Sequence, residues 1–423
     1  MKKNLLKKIF AFLKKNSNID ISAEDVQRLY KNKLAVLSRK LKTGKIKVVF
    51  LVRENSKWAY QSLYEQFEKD ERFEPVVLVS LLMLSHIGKD KTRNNLEENY
   101  EFFKSRNMKV DYAYKNGQYI DLKEFDPDMV FYDQQYDLPD FHKPYKVAEY
   151  ALTFYSSYSY ELLNCEEDYT NEFHSYLFCL LVEHNLNLKR FESFGKYDLS
   201  NCFVSGYPKM DIYLDNKEIK MNLWKDNNKL KVIYAPHHSV DKRGVHLSMF
   251  VETAKFILDL AKKHPETAWV FKPHPRLKYA LQRSKTMTEE EVEQYFNEWK
   301  KIGNIYEQGD YFDIFKTSDL MITDSCSFLA EYLPSQKPLI RIINSSATEL
   351  NILGKKITRE YYNAYNNEDI EKLFNEVLIN GHDYRKEERI KLSEEIVDYN
   401  EKSAEKIYKY IIKKINEAEE ITI

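Results

Sequence analysis

Residues 231–276 read KVIYAPHHSVDKRGVHLSMFVETAKFILDLAKKHPETAWVFKPHPR. Two short apolar runs, Lys231–Ala235 and Ala268–Lys272, flank a longer stretch from Phe250 to Lys263. Each run is rich in Val, Ile and aromatic residues and has the length of a strand; the longer stretch between them has the length of a helix. A strand, a helix and a strand in this order form a parallel βαβ unit.

The same rhythm extends outward. Downstream come a charged helix from Thr288 to Lys300, a short strand at Asn304–Tyr306 and a short helix at Tyr311–Thr317. A strand at Leu320–Thr323, a helix opening at Phe328 and a strand at Pro338–Ile343 follow, then a charged helical tail from Ile370. Upstream, the Lys- and Asn-rich segment Asp215–Lys229 interrupts the pattern and reads as a domain boundary. Before it stand strands at Lys45–Val52, Pro75–Ser80, Met129–Tyr132 and Asn201–Ser205, with helices at Trp58–Asp70 and Leu96–Arg106 between them. A further helix spans about Ala23 to Leu41. The expected fold is α/β, with two Rossmann-like domains and a basic N-terminal helical extension. Residues 1–44 form that extension, 45–214 the first domain, 215–395 a nucleotide-binding domain and 396–423 a C-terminal helix.

Composition narrows the function. The 65 basic and 66 acidic side chains leave a formal charge of -1, which argues against a protein that coats nucleic acid. With 32 Tyr and 24 Phe the chain can bury a large core. Only 10 glycines occur, and neither GxGxxG nor GxxxxGK[ST] is present, so a glycine-rich phosphate cradle is not expected. Four scattered cysteines, Cys165, Cys179, Cys202 and Cys326, form no disulfide framework and no zinc pair, as in a reducing compartment. The opening MKKNLLKKIFAFLKKN sets an apolar stripe against six lysines. Residues 1–16 thus suit an anionic membrane surface, where each lysine contributes roughly 1 kcal/mol; a solvated helix docked on the next domain is the alternative.

Ligands of open α/β sheets sit beyond the carboxyl ends of the strands, and three strands end there in loops that carry chemistry. In Val232–Ser239, His237 and His238 follow Pro236; either could be a general base or a phosphate ligand. A paired-histidine zinc site is the rival reading, but the spacing matches no zinc motif, so no metal is assigned. In Val270–Arg276, His274 is held between Pro273 and Pro275 with Lys272 and Arg276 beside it, a fixed donor among cations that suits a diphosphate. In Leu320–Ser327, Ser325 and Ser327 lie at a helix start, where hydroxyls and free N–H groups point outward together; a serine cap helped by Asp324 is the plainer alternative. Asp126-Pro127-Asp128 resembles a metal-binding DxD but reads as a loop entering a strand. His174 and His184 read as packing or surface residues. Tyr155, Tyr158 and Tyr160 either line the acceptor side of a cleft or simply pack.

VSGYPKMD at 204–211, YAPHHS, FKPHP, SDLMITDSCSFLAEYL at 318–333 and QKPLI resemble the CDP-glycerol glycerophosphotransferase family, the teichoic-acid and capsule polymerases of bacterial envelopes. The resemblance spans roughly residues 130–375. It implies a GT-B-like pair of domains, no metal or other cofactor, and a cytoplasmic protein peripheral on the inner face of the cell membrane. It implies a pyrophosphate role for His274, phosphate contacts for Thr323, Asp324, Ser325 and Ser327, and ribose contact for Glu331. The chain departs from the family at three points. It has no WHGTPLK-like motif, the comparable region reading KVAEYALTFYSSYSY. Cys326 replaces a tyrosine, and His237-His238 replaces a TW pair. The expected reaction moves a polyol phosphate from a CDP-polyol to a hydroxyl of a lipid-linked or growing envelope glycan, releasing CMP. Lys272 and Arg276 would offset charge, and His238 or His237 would act as base. Two alternatives are a GT-B glycosyltransferase with a UDP- or CMP-linked sugar donor and a non-catalytic glycan-assembly factor.

Overall fold

The computed structural model describes residues 21–82, 89–195, 198–215, 219, 223–240, 244–307 and 311–420. The lysine-rich residues 1–16, expected at a membrane, lie outside that set. Among the described residues no helix is long and apolar enough to cross a membrane.

The first sheet contains β1 (Ile46–Val52), β2 (Phe73–Val79), β3 (Val110–Tyr112), β4 (Met129–Tyr132), β5 (Leu152–Ser156), β6 (Cys179–Val182) and β7 (Cys202–Val204). Their order is β3-β2-β1-β4-β5-β6-β7, and every pair is parallel. The second sheet contains β8 (Leu230–Ala235), β9 (Thr267–Phe271), β10 (Gly303–Ile305), β11 (Leu320–Thr323), β12 (Leu339–Ile342) and β13 (Tyr362–Ala364). Its order, β10-β9-β8-β11-β12-β13, repeats the first, again all parallel. Helices cover both faces of each sheet, which is why the strands read as unbroken apolar runs instead of alternating ones. In both sheets the strand order reverses beside the first strand, between β1 and β4 and between β8 and β11. At such a switch point the adjoining loops part and leave a crevice.

Four strands at 110–112, 152–156, 179–182 and 362–364 were not among those expected from sequence; β5 and β6 carry the first sheet toward its far edge. The helix from Phe250 to Lys263 falls where expected, and the one expected at 96–106 starts earlier, spanning Lys89–Lys104. The helix Ala23–Thr43 begins at Ser22, whose hydroxyl accepts the Asp25 N–H. It packs on the first sheet: Tyr30 is 1% exposed and donates to the Tyr176 carbonyl at 2.6 Å. Asp128 enters β4 as a structural residue, accepting the Lys47 N–H at 2.9 Å and pairing with Lys33 and Lys40.

The last helix, Ser403–Glu420, returns from the second sheet to the first. Ala404, Ile407, Ile411 and Ile415 join the core around Phe50 and Phe131, so this helix completes the first domain. Asp211 fixes its start by accepting the N–H groups of Ser403 (2.8 Å) and Ala404 (2.9 Å). The approach is close at Gly206, whose φ is +83° and whose missing Cβ would sit 2.5 Å from the Ser403 hydroxyl.

Candidate active site

β8 pairs with β9 at Tyr234↔Phe271 and with β11 at Ala235↔Thr323, so the three loops expected from sequence emerge side by side at the switch point. Backbone and side chain then lock them together. The His274 N–H donates to the Pro236 carbonyl at 3.1 Å, joining the first loop to the second. Asp324 joins the first to the third: its carboxylate accepts the N–H of His237 at 2.5 Å and of Met249 at 2.7 Å. Burial pushes Asp324 up to about 7, partly offset by those N–H bonds. Thr323 donates to the Ala235 carbonyl at 2.6 Å and accepts the Ser325 N–H at 2.9 Å. Thr323 and Asp324 therefore build the loops instead of reaching outward, and this replaces the phosphate role expected for them.

Three imidazoles gather where these loops meet. Ring centroids lie 4.3 Å apart for His237 and His238, 4.0 Å for His238 and His274, and 5.4 Å for His237 and His274. The backbone decides their tautomers. His274 Nδ1 accepts the Arg276 N–H at 3.1 Å. His237 Nδ1 accepts the Ser239 N–H at 3.2 Å, with the Ser239 hydroxyl 2.9 Å away. That hydroxyl oxygen already accepts the N–H groups of Leu247 and Ser248, so its own proton is free to point at Nδ1. With both Nδ1 atoms used as acceptors, the ring proton of His237 and of His274 sits on Nε2. Burial, then the His238 charge, pushes His237 down to about 3. Burial, then His238, His237, Arg276 and Lys272, pushes His274 well below the usual histidine range. Both rings are neutral hydrogen-bond donors near neutral pH, and the low proton affinity of His237 makes it a poor base.

The ligand atoms of the three histidines lie within 4.8 Å of one another, a spacing that could hold a metal ion. A ligating histidine normally donates its second N–H to an acceptor. Here both Nδ1 atoms of His237 and His274 face donors instead, so a metal on Nε2 would need doubly deprotonated rings. Lys272 and Arg276 beside the cluster repel a cation further. The donor set suits an anion.

Lys272 is 4% exposed, and its ammonium stands 4.5 Å from the Tyr311 ring centroid and 5.3 Å from that of Phe328. Burial, then the Lys209 charge, pushes it down to about 8, against the opposing pull of Glu331. Glu331 is 1% exposed and accepts the Tyr311 hydroxyl proton, so it sets the environment of Lys272 and does not reach out to a ribose. Ser325 lines a small indentation with Cys326, Arg341 and Asn344. Ser327 opens a helix of five residues, Ser327–Glu331, and is half-buried.

The first domain supplies residues that the sequence reading passed over. Arg276 Nη2 meets Glu54 Oε1 at 3.3 Å across the crevice. Glu54 also pairs with Lys57, whose ammonium lies 4.6 Å from the Tyr158 ring centroid. Burial raises Glu54, but Lys57 and Arg276 outweigh it and hold the carboxyl low. Lys209 reaches the Ser56 carbonyl at 3.3 Å. The signal was their position: Glu54 and Lys57 follow β1, at the switch point of the first sheet. Tyr155 and Tyr160 are buried in packing. His184 caps the helix Asn185–Phe194 by accepting the Leu186 N–H at 3.1 Å.

The family of CDP-glycerol:poly(glycerophosphate) glycerophosphotransferases matches residues 172–413, more than half of the chain. No curated protein sequence matches. Among solved structures, a variant of the wall teichoic acid polymerase TagF aligns with a TM-score of 0.59 at 15% identity, covering 99% of both chains. The UDP-GlcNAc 2-epimerase of Neisseria meningitidis bound to UDP-GlcNAc aligns with a TM-score of 0.57 at 14% identity, covering 87% of this chain and all of that one. The S. aureus MnaA–UDP structure gives 0.56 at 16%, covering 88% and 97%. At these identities the likeness is one of fold, the paired-domain GT-B architecture expected from sequence.

Proposed function

The chain belongs to the CDP-glycerol:poly(glycerophosphate) glycerophosphotransferase family, and from that premise we propose that it transfers a polyol phosphate from a CDP-polyol to a hydroxyl of a cell-envelope polymer, releasing CMP. The observation that carries this reading is the meeting of two Nε2–H imidazoles, His237 and His274, with a buried ammonium at the switch point of the second sheet. Lys272 is buried with no ion pair among the described residues, and two donor imidazoles beside it suit the oxygens of a diphosphate. In the proposed complex, His274 and His237 donate to phosphate oxygens and Ser325 and Ser327 add hydroxyls. Lys272 and Arg276 balance the charge that grows on the CMP leaving group. Phosphoryl transfer asks little covalent chemistry of the protein, so positioning and charge stabilisation dominate. The wall teichoic acid polymerase with the same fold supports an envelope polymer as acceptor. The basic, apolar-striped residues 1–16 support a peripheral position on an anionic membrane, where a lipid-linked acceptor would be found.

The test is CMP release by purified protein given CDP-glycerol or CDP-ribitol and an envelope-lipid extract, beside a His274→Ala control. The proposal expects release that the variant loses by about 100-fold, as when one charge-stabilising donor is removed. Release from a UDP- or CMP-linked sugar alone would replace the donor class, and equal release by the variant would remove the histidine site.

A further inference from the structure

In the segment VSGYPKMD at 204–211, Gly206 and Asp211 hold the last helix in place, which accounts for those two residues and leaves Lys209. The segment leaves β7 at Val204 and carries the chain from the first domain toward the second through a short helical turn, Pro208–Leu214. That turn is firmly built around Lys209. Pro208 opens it, the Met210 N–H donates to the Tyr207 carbonyl at 2.9 Å, and Tyr207, Pro208, Met210 and Asp211 are all buried. The Tyr207 hydroxyl donates to the Tyr158 carbonyl at 3.0 Å, which ties the turn to the loop after β5. Between these buried neighbours Lys209 is only half-buried.

Its ammonium stands in the crevice between the domains. On one side it donates to the Ser56 carbonyl at 3.3 Å, in the loop after β1. On the other it lies 5.0 Å from the ring centroid of Tyr311, in the second domain. Lys272 lies 4.5 Å from the same centroid. Two ammonium groups therefore share one aromatic ring, and among the described residues neither makes an ion pair. Glu331, which accepts the Tyr311 hydroxyl proton, is the carboxylate that pulls on Lys272. The other two cations of the crevice, Lys57 and Arg276, share Glu54. These four cations face two carboxylates, and like charges gathered where water is scarce cost stability unless an anion comes between them.

A strut between the domains is the plainer role for Lys209. However, one neutral carbonyl at 3.3 Å is a weak partner for an ammonium set beside Lys272. A phosphate oxygen in its place would make a charge-assisted bond, roughly twice as strong as a neutral one.

We propose that Lys209 binds the phosphoryl group that is transferred, the β-phosphoryl of the CDP-polyol, and so completes from the interdomain connector a donor site otherwise built by the second domain. The inference rests on the transferase reading above. His237, His274 and Lys272 stand on the second domain, where that reading places the diphosphate. Lys209 spans from Tyr311 to the first domain, so the phosphoryl group nearer the acceptor is the one it meets. In the reaction the acceptor oxygen forms a bond to the β-phosphorus. The bond from that phosphorus to the bridging oxygen breaks, its electron pair leaves with CMP, and the acceptor's proton passes to solvent. Lys209 forms no covalent bond and takes no proton. It offsets the charge on the phosphoryl oxygens during transfer, while Lys272 serves the leaving group.

The test compares wild type with Lys209→Met and Lys209→Arg. CMP and CDP-glycerol affinities are read by calorimetry, kinetics by CMP release with a glycerol-phosphate oligomer as acceptor, and folding by melting temperature. For Lys209→Met the expected result is CMP affinity within about 3-fold of wild type, CDP-glycerol affinity lower by about 10-fold and kcat lower by about 100-fold. The melting temperature should be no lower, because a like charge has left the neighbourhood of Lys272. Lys209→Arg keeps the charge and should recover part of the CDP-glycerol affinity. Equal weakening of CMP and CDP-glycerol overturns the assignment, since the transferred phosphoryl group is absent from CMP. A raised acceptor KM with unchanged CDP-glycerol affinity overturns it by moving Lys209 to the acceptor side. A kcat and CDP-glycerol affinity both within about 3-fold of wild type overturn it and leave the transferase reading intact. Absence of CMP release by the wild type from any CDP-polyol overturns both readings together.

Discussion

Lys272→Met separates the stability of the second domain from its function. The lysine is 4% exposed, and its pKa falls from 10.5 to about 8 through burial and then Lys209. Between pH 8 and 10.5 the unfolded chain holds this proton while the folded state releases it, so stability rises with pH across that window. Below pH 8 the whole penalty is present. The fall from 10.5 to about 8, at ~1.36 kcal/mol for each pH unit, amounts to about 3 kcal/mol. Methionine fills the same channel against Tyr311 and Phe328 without the charge, and loses about 1 kcal/mol of cation–π attraction. Urea denaturation at pH 7 should therefore find the variant more stable by about 2 kcal/mol, with the gap narrowing by more than about 1 kcal/mol at pH 9.5. CMP release should fall by about 100-fold, since the ammonium is kept at a cost for the anion it meets. A variant less stable than wild type at pH 7, or a gap unchanged at pH 9.5, would refute the reasoning.

Other perturbations probe other parts of the structure. Glu54→Gln removes the carboxylate that holds Arg276 across the crevice, so CMP should bind about 3- to 10-fold more tightly at low salt, read by calorimetry; unchanged affinity would mean that Glu54 does not compete with phosphate. Gly206→Ala places a Cβ 2.5 Å from the Ser403 hydroxyl at a φ of +83°, and should cost about 2 kcal/mol in urea denaturation. Adding Ser403→Ala should recover part of that loss by relieving the clash and not the strained φ; no recovery would place the fault elsewhere. Deleting residues 1–16 should abolish flotation with phosphatidylglycerol liposomes and leave CMP release from soluble acceptors intact; unaltered flotation would remove the membrane role.

The strands that carry the site were readable in advance because a parallel sheet covered on both faces demands continuous apolar runs. VVFLV, MVFY, VIYA, AWVF and LMIT announce themselves, and the last three put His237, His274 and Ser325 at strand ends. LTFYS at 152–156 and CLLV at 179–182 escaped because tyrosine, serine and cysteine blur their edges and no glycine or proline brackets them. The tautomers of His237 and His274 depend on turns two residues long, which sequence does not spell out. Glu331 and Asp324 looked outward from the motif, yet Tyr311 and the N–H groups of His237 and Met249 claim their carboxylates in the folded chain. The bridge from Arg276 to Glu54 joins residues 222 apart, and the closing helix returns to the first sheet from the far end of the chain. Contacts of that span arise from packing alone.

Two neutral imidazoles, His237 and His274, are the heart of the proposed donor site. Long-range ¹⁵N spectra of histidine-labelled protein at pH 7, with and without CDP-glycerol, read their protonation and their contact together. The prediction is that the resonances lost in the His237→Gln and His274→Gln variants carry the neutral Nε2–H pattern, and that both shift when CDP-glycerol is added. Charged rings, protons on Nδ1, or resonances indifferent to saturating CDP-glycerol would contradict it.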